Sequence, residues 1–102
     1  MNVTTTTSAD GKSMTIALPD HFTFALHRIF RDIYINVRQP GCEFRIDLGA
    51  TEYMDSSALG MLLLLNEHAK GLGGSVLIAH PRQTIRRVLE IASFDKIFRI
   101  ES

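Results

Sequence analysis

Between residues 42 and 48 the chain alternates strictly. Cys42, Phe44, Ile46 and Leu48 are apolar, and the residues between them, Glu43, Arg45 and Asp47, are charged. A period of two is the mark of a β-strand with one face buried and the other wet. A parallel strand covered by helices on both sides reads instead as an unbroken apolar run. The sheet that holds this strand is therefore expected to carry its helices mainly on one face.

The flanking sequence supplies the other elements. Val3 to Ser8 is Thr-rich with β propensity, and in Ser13 to Leu18 the residues Met14, Ile16 and Leu18 alternate with Ser13, Thr15 and Ala17. Asp10-Gly11 between these runs is a hairpin signal, because glycine tolerates the positive φ of the turn. After Pro19 the period lengthens: Phe22, Leu26, Ile29, Phe30, Ile33 and Val37 recur every three or four residues, as in an amphipathic helix. Asp20 or Thr23 can cap that helix, and Pro40-Gly41 follows its end. Gly49 to Met54 reads as a loop, and a helix is expected from about Ser56 to Lys70, closed by Gly71-Leu72-Gly73-Gly74. Ser75 to Ala79 is a short strand. Pro81 suits the start of a third helix with Ile85, Val88, Leu89 and Ala92 at helical spacing, and Ile97 to Ile100 reads as a last strand. The order ββαβαβα and a final β predicts one α/β domain over residues 1–102, with a mixed sheet of four or five strands. Leu26, Ile29, Ile46, Leu62, Leu65, Val88 and Leu89 are the expected core.

The most informative stretch begins at Asp55. At about 100° per residue, Ala58, Leu62, Leu65, Ala69 and Leu72 share one stripe of the helix and should pack on the sheet. Ser56, Gly60, Leu63, Leu64 and Glu67 fall on the opposite side. Taken alone, Asp55 and Ser56 read as an N-cap, accepting hydrogen bonds from free backbone N–H groups. Two leucines and a glycine facing outward beside a hydroxyl describe a docking surface as well. Its candidate contacts are Asp55, Ser56, Ser57, Gly60, Leu63, Leu64 and Glu67.

Several function classes are disfavoured. Eleven basic residues balance eleven acidic ones, so the chain lacks the basic excess of a nucleic-acid module and the charge that draws proteins to anionic membranes. Met61 to Leu65 is the longest apolar run, far below the ~20 residues that span a bilayer. Part of it belongs to the buried stripe, which leaves Leu63 and Leu64 as the outward pair. With no basic region leading into an apolar stretch at the N-terminus, the expectation is a cytoplasmic protein. Cys42 is the single cysteine and reads as a small core residue, so no disulfide is expected. Ser56 and Ser57 lack the glycine spacing of a nucleophile elbow, and none of His21, His27, His68 or His80 is marked as a base, so no enzyme is expected. Paired metal-ligand spacings are absent from the sequence, and no metal or cofactor is expected. Gly71, Gly73 and Gly74 follow a helix and precede a strand, the reverse of a dinucleotide-binding turn. Arg82, Arg86 and Arg87 read as a solvated basic face.

The segments Glu43–Leu48 and Tyr53–Gly60, followed by Ala69–Gly74, Arg86–Ile91 and Phe94–Phe98, together resemble the STAS domain. STAS domains are found in sulfate transporters and anti-sigma factor antagonists. The likeness covers nearly the whole chain and implies a single STAS-like domain. In the antagonist branch the first serine after the aspartate is phosphorylated, which here is Ser56. The resemblance implies a serine kinase that uses ATP and is often itself the anti-sigma factor. It also implies a metal-dependent serine phosphatase, and binding of the anti-sigma factor by the unmodified form. The alternatives it leaves are a STAS subunit of a lipid-transport complex and a nucleotide-binding STAS module. Ala58 stands where the family commonly has glycine, and the turn before the first long helix, where many members bear an aspartate, here reads Pro19-Asp20-His21-Phe22-Thr23-Phe24.

Overall fold

The computed structural model describes residues 3–102; Met1 and Asn2, with which the expected domain begins, lie outside the described residues. The elements run β1 (Thr4–Thr7), β2 (Ser13–Ala17), β3 (His21–Phe22), α1 (His27–Tyr34), β4 (Glu43–Asp47), β5 (Tyr53–Met54), α2 (Ser56–Gly71), β6 (Ser75–Ala79), α3 (Gln83–Ile91) and β7 (Arg99–Glu101). Short 3-10 turns at Phe24–Leu26 and Phe94–Lys96 lead into α1 and β7.

The main sheet has the order β1-β2-β4-β6-β7. β1 and β2 form the antiparallel hairpin, and every later pairing is parallel. Each parallel step moves the chain one place across the sheet in the same direction. Crossovers of this kind are right-handed almost without exception, so repeated steps in one direction deposit every connecting helix on one face. The buried cluster has that composition: Ile16, Phe44, Ile46 and Ile78 from the sheet, Phe30 and Tyr34 from α1, Leu62 and Leu65 from α2, and Ile85 and Leu89 from α3. The alternation at residues 42–48 thus reports the layering correctly. On the other face Thr15, Arg45, Leu77 and Arg99 stand in register across four strands. Leu77 is buried there between the two arginines, whose guanidinium groups both reach Glu101 at 3.4 Å.

The turns follow their sequence signals. Gly11 has φ +72° in the β1–β2 hairpin, and the Asp10 carboxylate accepts from the Ser8 hydroxyl and from Lys12 N–H. Those two bonds hold its pKa below the ordinary value. α2 ends in a Schellman motif: Gly74 N–H donates to Ala69 O at 2.8 Å and Gly73 N–H to Lys70 O at 2.9 Å, with Gly73 in the left-handed region. The chain then turns so tightly into β6 that a Cβ at Gly74 would fall on the Cys42 carbonyl.

Three expectations are corrected. Ile29 and Val88 are 44% and 36% exposed instead of core. Each directly precedes a larger residue that is buried, Phe30 or Leu89, and burial of that residue rotates its predecessor outward by about 100°. The first helix is shorter than its apolar spacing indicates: Phe22 belongs to β3, and Thr23 caps the 3-10 turn by accepting from Ala25 N–H. The stretch Gly49–Met54 is not wholly loop, because β5 pairs in parallel with β3 through His21↔Tyr53 and Phe22↔Met54.

The glycines supply a paired prediction. Gly60 lies in α2 with open space where a Cβ would stand, so Gly60→Ala should stabilise the protein by about 0.5–1 kcal/mol through helix propensity. Gly74→Ala must displace backbone, and should destabilise by about 1–3 kcal/mol or more. Urea denaturation of the two variants, with m unchanged, reads both signs directly.

Candidate functional site

Asp55 sits at the junction of two helix starts. Its backbone is extended (φ −95°, ψ 175°), as an N-cap requires, and Oδ1 accepts from Ala58 N–H at 2.9 Å. Oδ2 reaches across the fold and accepts from Phe24 N–H at 3.2 Å, at the head of the 3-10 turn that leads into α1. Asp55 N–H in turn donates to Phe22 O at 3.4 Å, continuing the β3–β5 pairing. Next to it, Thr51 is fully buried and its hydroxyl donates to Pro19 O at 2.9 Å, while Asp20 O accepts from Glu52 N–H and Tyr53 N–H. Residues 19–24 and 51–58 are thereby sewn together, and both helices start beyond the carboxyl ends of the strands.

Ser56 occupies the first turn of α2 and is exposed; Ser57 is half-buried. Gly60, Leu63, Leu64 and Glu67 are all exposed, as the wheel indicates, and Leu64 is 56% accessible. Ala58, Leu62, Leu65 and Ala69 are completely buried on the opposite stripe. The outward face is thus not a plain solvated face but a ridge with two large apolar side chains at its centre.

This ridge is one wall of a groove of about 560 Å³. From α2 come Ser57, Gly60, Met61, Leu63 and Leu64. The other wall is formed by Phe24 with His27, Phe30, Arg31 and Tyr34 of α1. Phe24 is 56% exposed and stacks on the His27 ring with centroids 4.1 Å apart and planes within 7°. His27 Nδ1 lies 2.9 Å from Phe24 O, which fixes that stack. Ser56 and Glu67 stand on the ridge beside the groove instead of lining it. Phe24, His27 and Arg31 were not among the sequence-derived contacts. The available signal was Phe24 itself, a large aromatic lying off the helical stripe that Phe22 and Leu26 begin.

A second concavity of about 650 Å³ lies at the end of β2, where the Asp20 carboxylate lies 3.1 Å from His21 Nδ1. It is more polar and does not include the α2 ridge. Of the expected basic face, Arg86 of α3 is spent on Glu90 at 3.6 Å and on the Ser102 hydroxyl, and Arg82, just before the helix, on Gly49 O at 3.0 Å. Among the described residues no group of three or more His, Cys, Asp or Glu side chains is placed to hold a metal ion.

Comparison with known proteins adds the following. A family model described as "Mlab, STAS domain" matches residues 5–100. A STAS-domain containing protein of Pseudomonas aeruginosa (strain UCBPP-PA14) is 40% identical over 100 residues, covering 98% of this chain and 99% of that one. The fold is similar to that of an anti-sigma-factor antagonist (STAS) domain protein from Planctomyces limnophilus, with TM-score 0.81, 17% identity, and 98% of this chain and 89% of that one covered. It is also similar to the anti-sigma factor antagonist SpoIIAA in its unphosphorylated form, with TM-score 0.67, 15% identity and coverage of 94% and 97%.

The two bonds of Asp55 can be separated experimentally. Asp55→Ala should cost about 1–2 kcal/mol, since it removes the cap. Asp55→Asn keeps one acceptor oxygen, enough for Ala58 N–H but not for Phe24 N–H as well. Amide hydrogen exchange should show Phe24 deprotected in both variants, while Ala58, whose N–H also donates to Asp55 O at 3.1 Å, stays protected in the Asn variant and loses only part of its protection in the Ala variant.

Proposed function

The chain belongs to the STAS domain family, and on that premise we propose that it is an anti-sigma factor antagonist, a protein-binding switch controlled by phosphorylation of Ser56. In this reading residues 1–102 act as one cytoplasmic, non-enzymatic domain without cofactor. The observation that carries it is the exposed hydroxyl of Ser56 in the first turn of α2, beside an apolar ridge with Leu63 and Leu64 uncovered. Ser57 is half-buried in the groove wall, so a kinase reaches Ser56 more readily. Two relatives by fold are themselves described as anti-sigma factor antagonists, one of them in an unphosphorylated form, which supports the same assignment. The absence of any long apolar helix among the described residues is compatible with it.

The mechanism follows from solvation. An unmodified Ser56 hydroxyl is covered by a docking partner at the cost of one hydrogen bond, which the partner can replace. A phosphoserine carries about −1.5 to −2 charges at neutral pH. The free N–H groups of the helix start favour that charge, and the Asp55 carboxylate next to it opposes it, so the fold barely moves. A partner seated on the ridge must strip water from the phosphate, and a buried unpaired charge costs several kcal/mol. The unmodified form therefore binds the anti-sigma factor, a serine kinase (often the anti-sigma factor itself) ends the complex, and a metal-dependent phosphatase restores it.

A second reading, service as the STAS subunit of a lipid-transport complex, uses the same ridge without a phosphate. It is favoured by the family description matched over residues 5–100.

A penalty of about 3 kcal/mol corresponds to roughly a hundredfold in affinity. Calorimetry against the anti-sigma factor should therefore give Ser56→Asp binding weaker than Ser56→Ala by about that factor. Leu64→Glu should weaken binding while circular dichroism stays unchanged. Equal affinities for the Ser56 variants would sink the switch and leave the second reading.

A further inference from the structure

The groove has a regular outline. Its α1 wall uses residues 27, 30, 31 and 34, and its α2 wall residues 57, 60, 61 and 64, with Leu63 beside them. Both sets repeat the spacing i, i+3, i+4, i+7, which is one face of a helix. α1 and α2 both start beyond the carboxyl ends of the strands, tied there by Asp55, so two ridges run side by side with a valley between them. Helices pack by laying the ridge of one into such a valley. Gly60 lowers the α2 wall, since nothing stands within 4 Å of its Cβ position, and a backbone can approach closely there.

Charge narrows the choice of occupant. Among the lining residues the ionisable groups are His27, Arg31 and Tyr34, with no carboxylate. Of the acids beside the groove, Asp55 already accepts from two backbone N–H groups, and Glu67 stands exposed on the α2 ridge, opposite the α1 rim. The valley therefore has an apolar floor and a cationic α1 rim. We infer that it receives an amphipathic helix of a partner protein, with apolar residues at i, i+3, i+4 and i+7 on the floor and a carboxylate facing Arg31. This rests on the docking role proposed above and names the partner's chemistry. A phosphate on Ser56 then acts twice, because it must be desolvated and it also repels the acidic flank of the incoming helix.

The test uses two synthetic 16-residue helical peptides with the same leucine stripe, one flanked by glutamates and one by lysines, titrated into the 15N-labelled protein. The glutamate peptide should bind tighter by about fivefold, the size of one good ion pair at a partly desolvated rim. It should shift the amides of Phe24, Gly60 and Leu64. Arg31→Glu should reverse the preference. Gly60→Leu should abolish binding of both peptides with the circular dichroism spectrum intact. Equal binding of the two peptides, no binding of the glutamate peptide, shifts confined to the open sheet face, or indifference to Gly60→Leu would each overturn the inference. The assay contains neither kinase nor anti-sigma factor. Failure here with a persisting difference between Ser56 variants sinks the helix-in-valley inference alone, and the opposite pattern sinks only the switch.

Discussion

Every parallel step in this sheet goes the same way, and that handedness constraint organises the rest of the molecule. β2, β4, β6 and β7 are laid down in sequence order, so the right-handed crossovers place α1, α2 and α3 together. A sheet that reversed direction would send helices to both faces and open a crevice at the reversal, where α/β proteins commonly bind small ligands. This chain has no such reversal among its described strands. What it has instead are two neighbouring helices with their starts aligned at the carboxyl ends of the strands. A surface between helices is the natural place for function in such a layout.

That surface is held by few contacts of long sequence range. The Asp55 carboxylate spans 31 residues to reach Phe24 N–H, and β3 and β5 contribute one short parallel pairing. These contacts fix the spacing of the groove walls where Ser56 stands. On the reading proposed above, a phosphate at Ser56 would fall on this cross-linked frame and act through solvation and surface potential more than through a change of shape. The Phe24–His27 stack, anchored through Phe24 O, keeps the opposite wall equally fixed.

How much of this the residues announce depends on range. The strand at 42–48, the Asp10-Gly11 turn, the α2 stripe and the glycine C-cap are local patterns, and each is legible from neighbouring side chains. The outward ridge of α2 is legible for the same reason, since one helix wheel contains it. The α1 wall is not, because nothing in the spacing of residues 24–34 says which neighbour lies opposite. The double role of Asp55 is hidden similarly: its cap to Ala58 is local, but its bond to Phe24 exists only after the sheet has formed. Ile29 and Val88 mislead because a stripe of apolar residues is wider than the surface a helix can bury, and Phe30 and Leu89 win the contact.

Cys42 is the chain's one cysteine, and it is buried immediately before β4 with 1% exposure. Burial raises its pKa, and the neighbouring Glu43 carboxylate adds to the shift, so the native thiol stays protonated and unreactive where an unfolded one ionises more readily. The Gly74 backbone packs directly on the Cys42 main chain, and the 1% exposure of Cys42 leaves a reagent no access without local opening there. Alkylation of Cys42 thus clocks opening of the fold at the entry to β4, with no label attached. A cysteine placed at Glu67 would conversely be the only accessible thiol in the folded protein, and would take a dye on the ridge while leaving the core untouched.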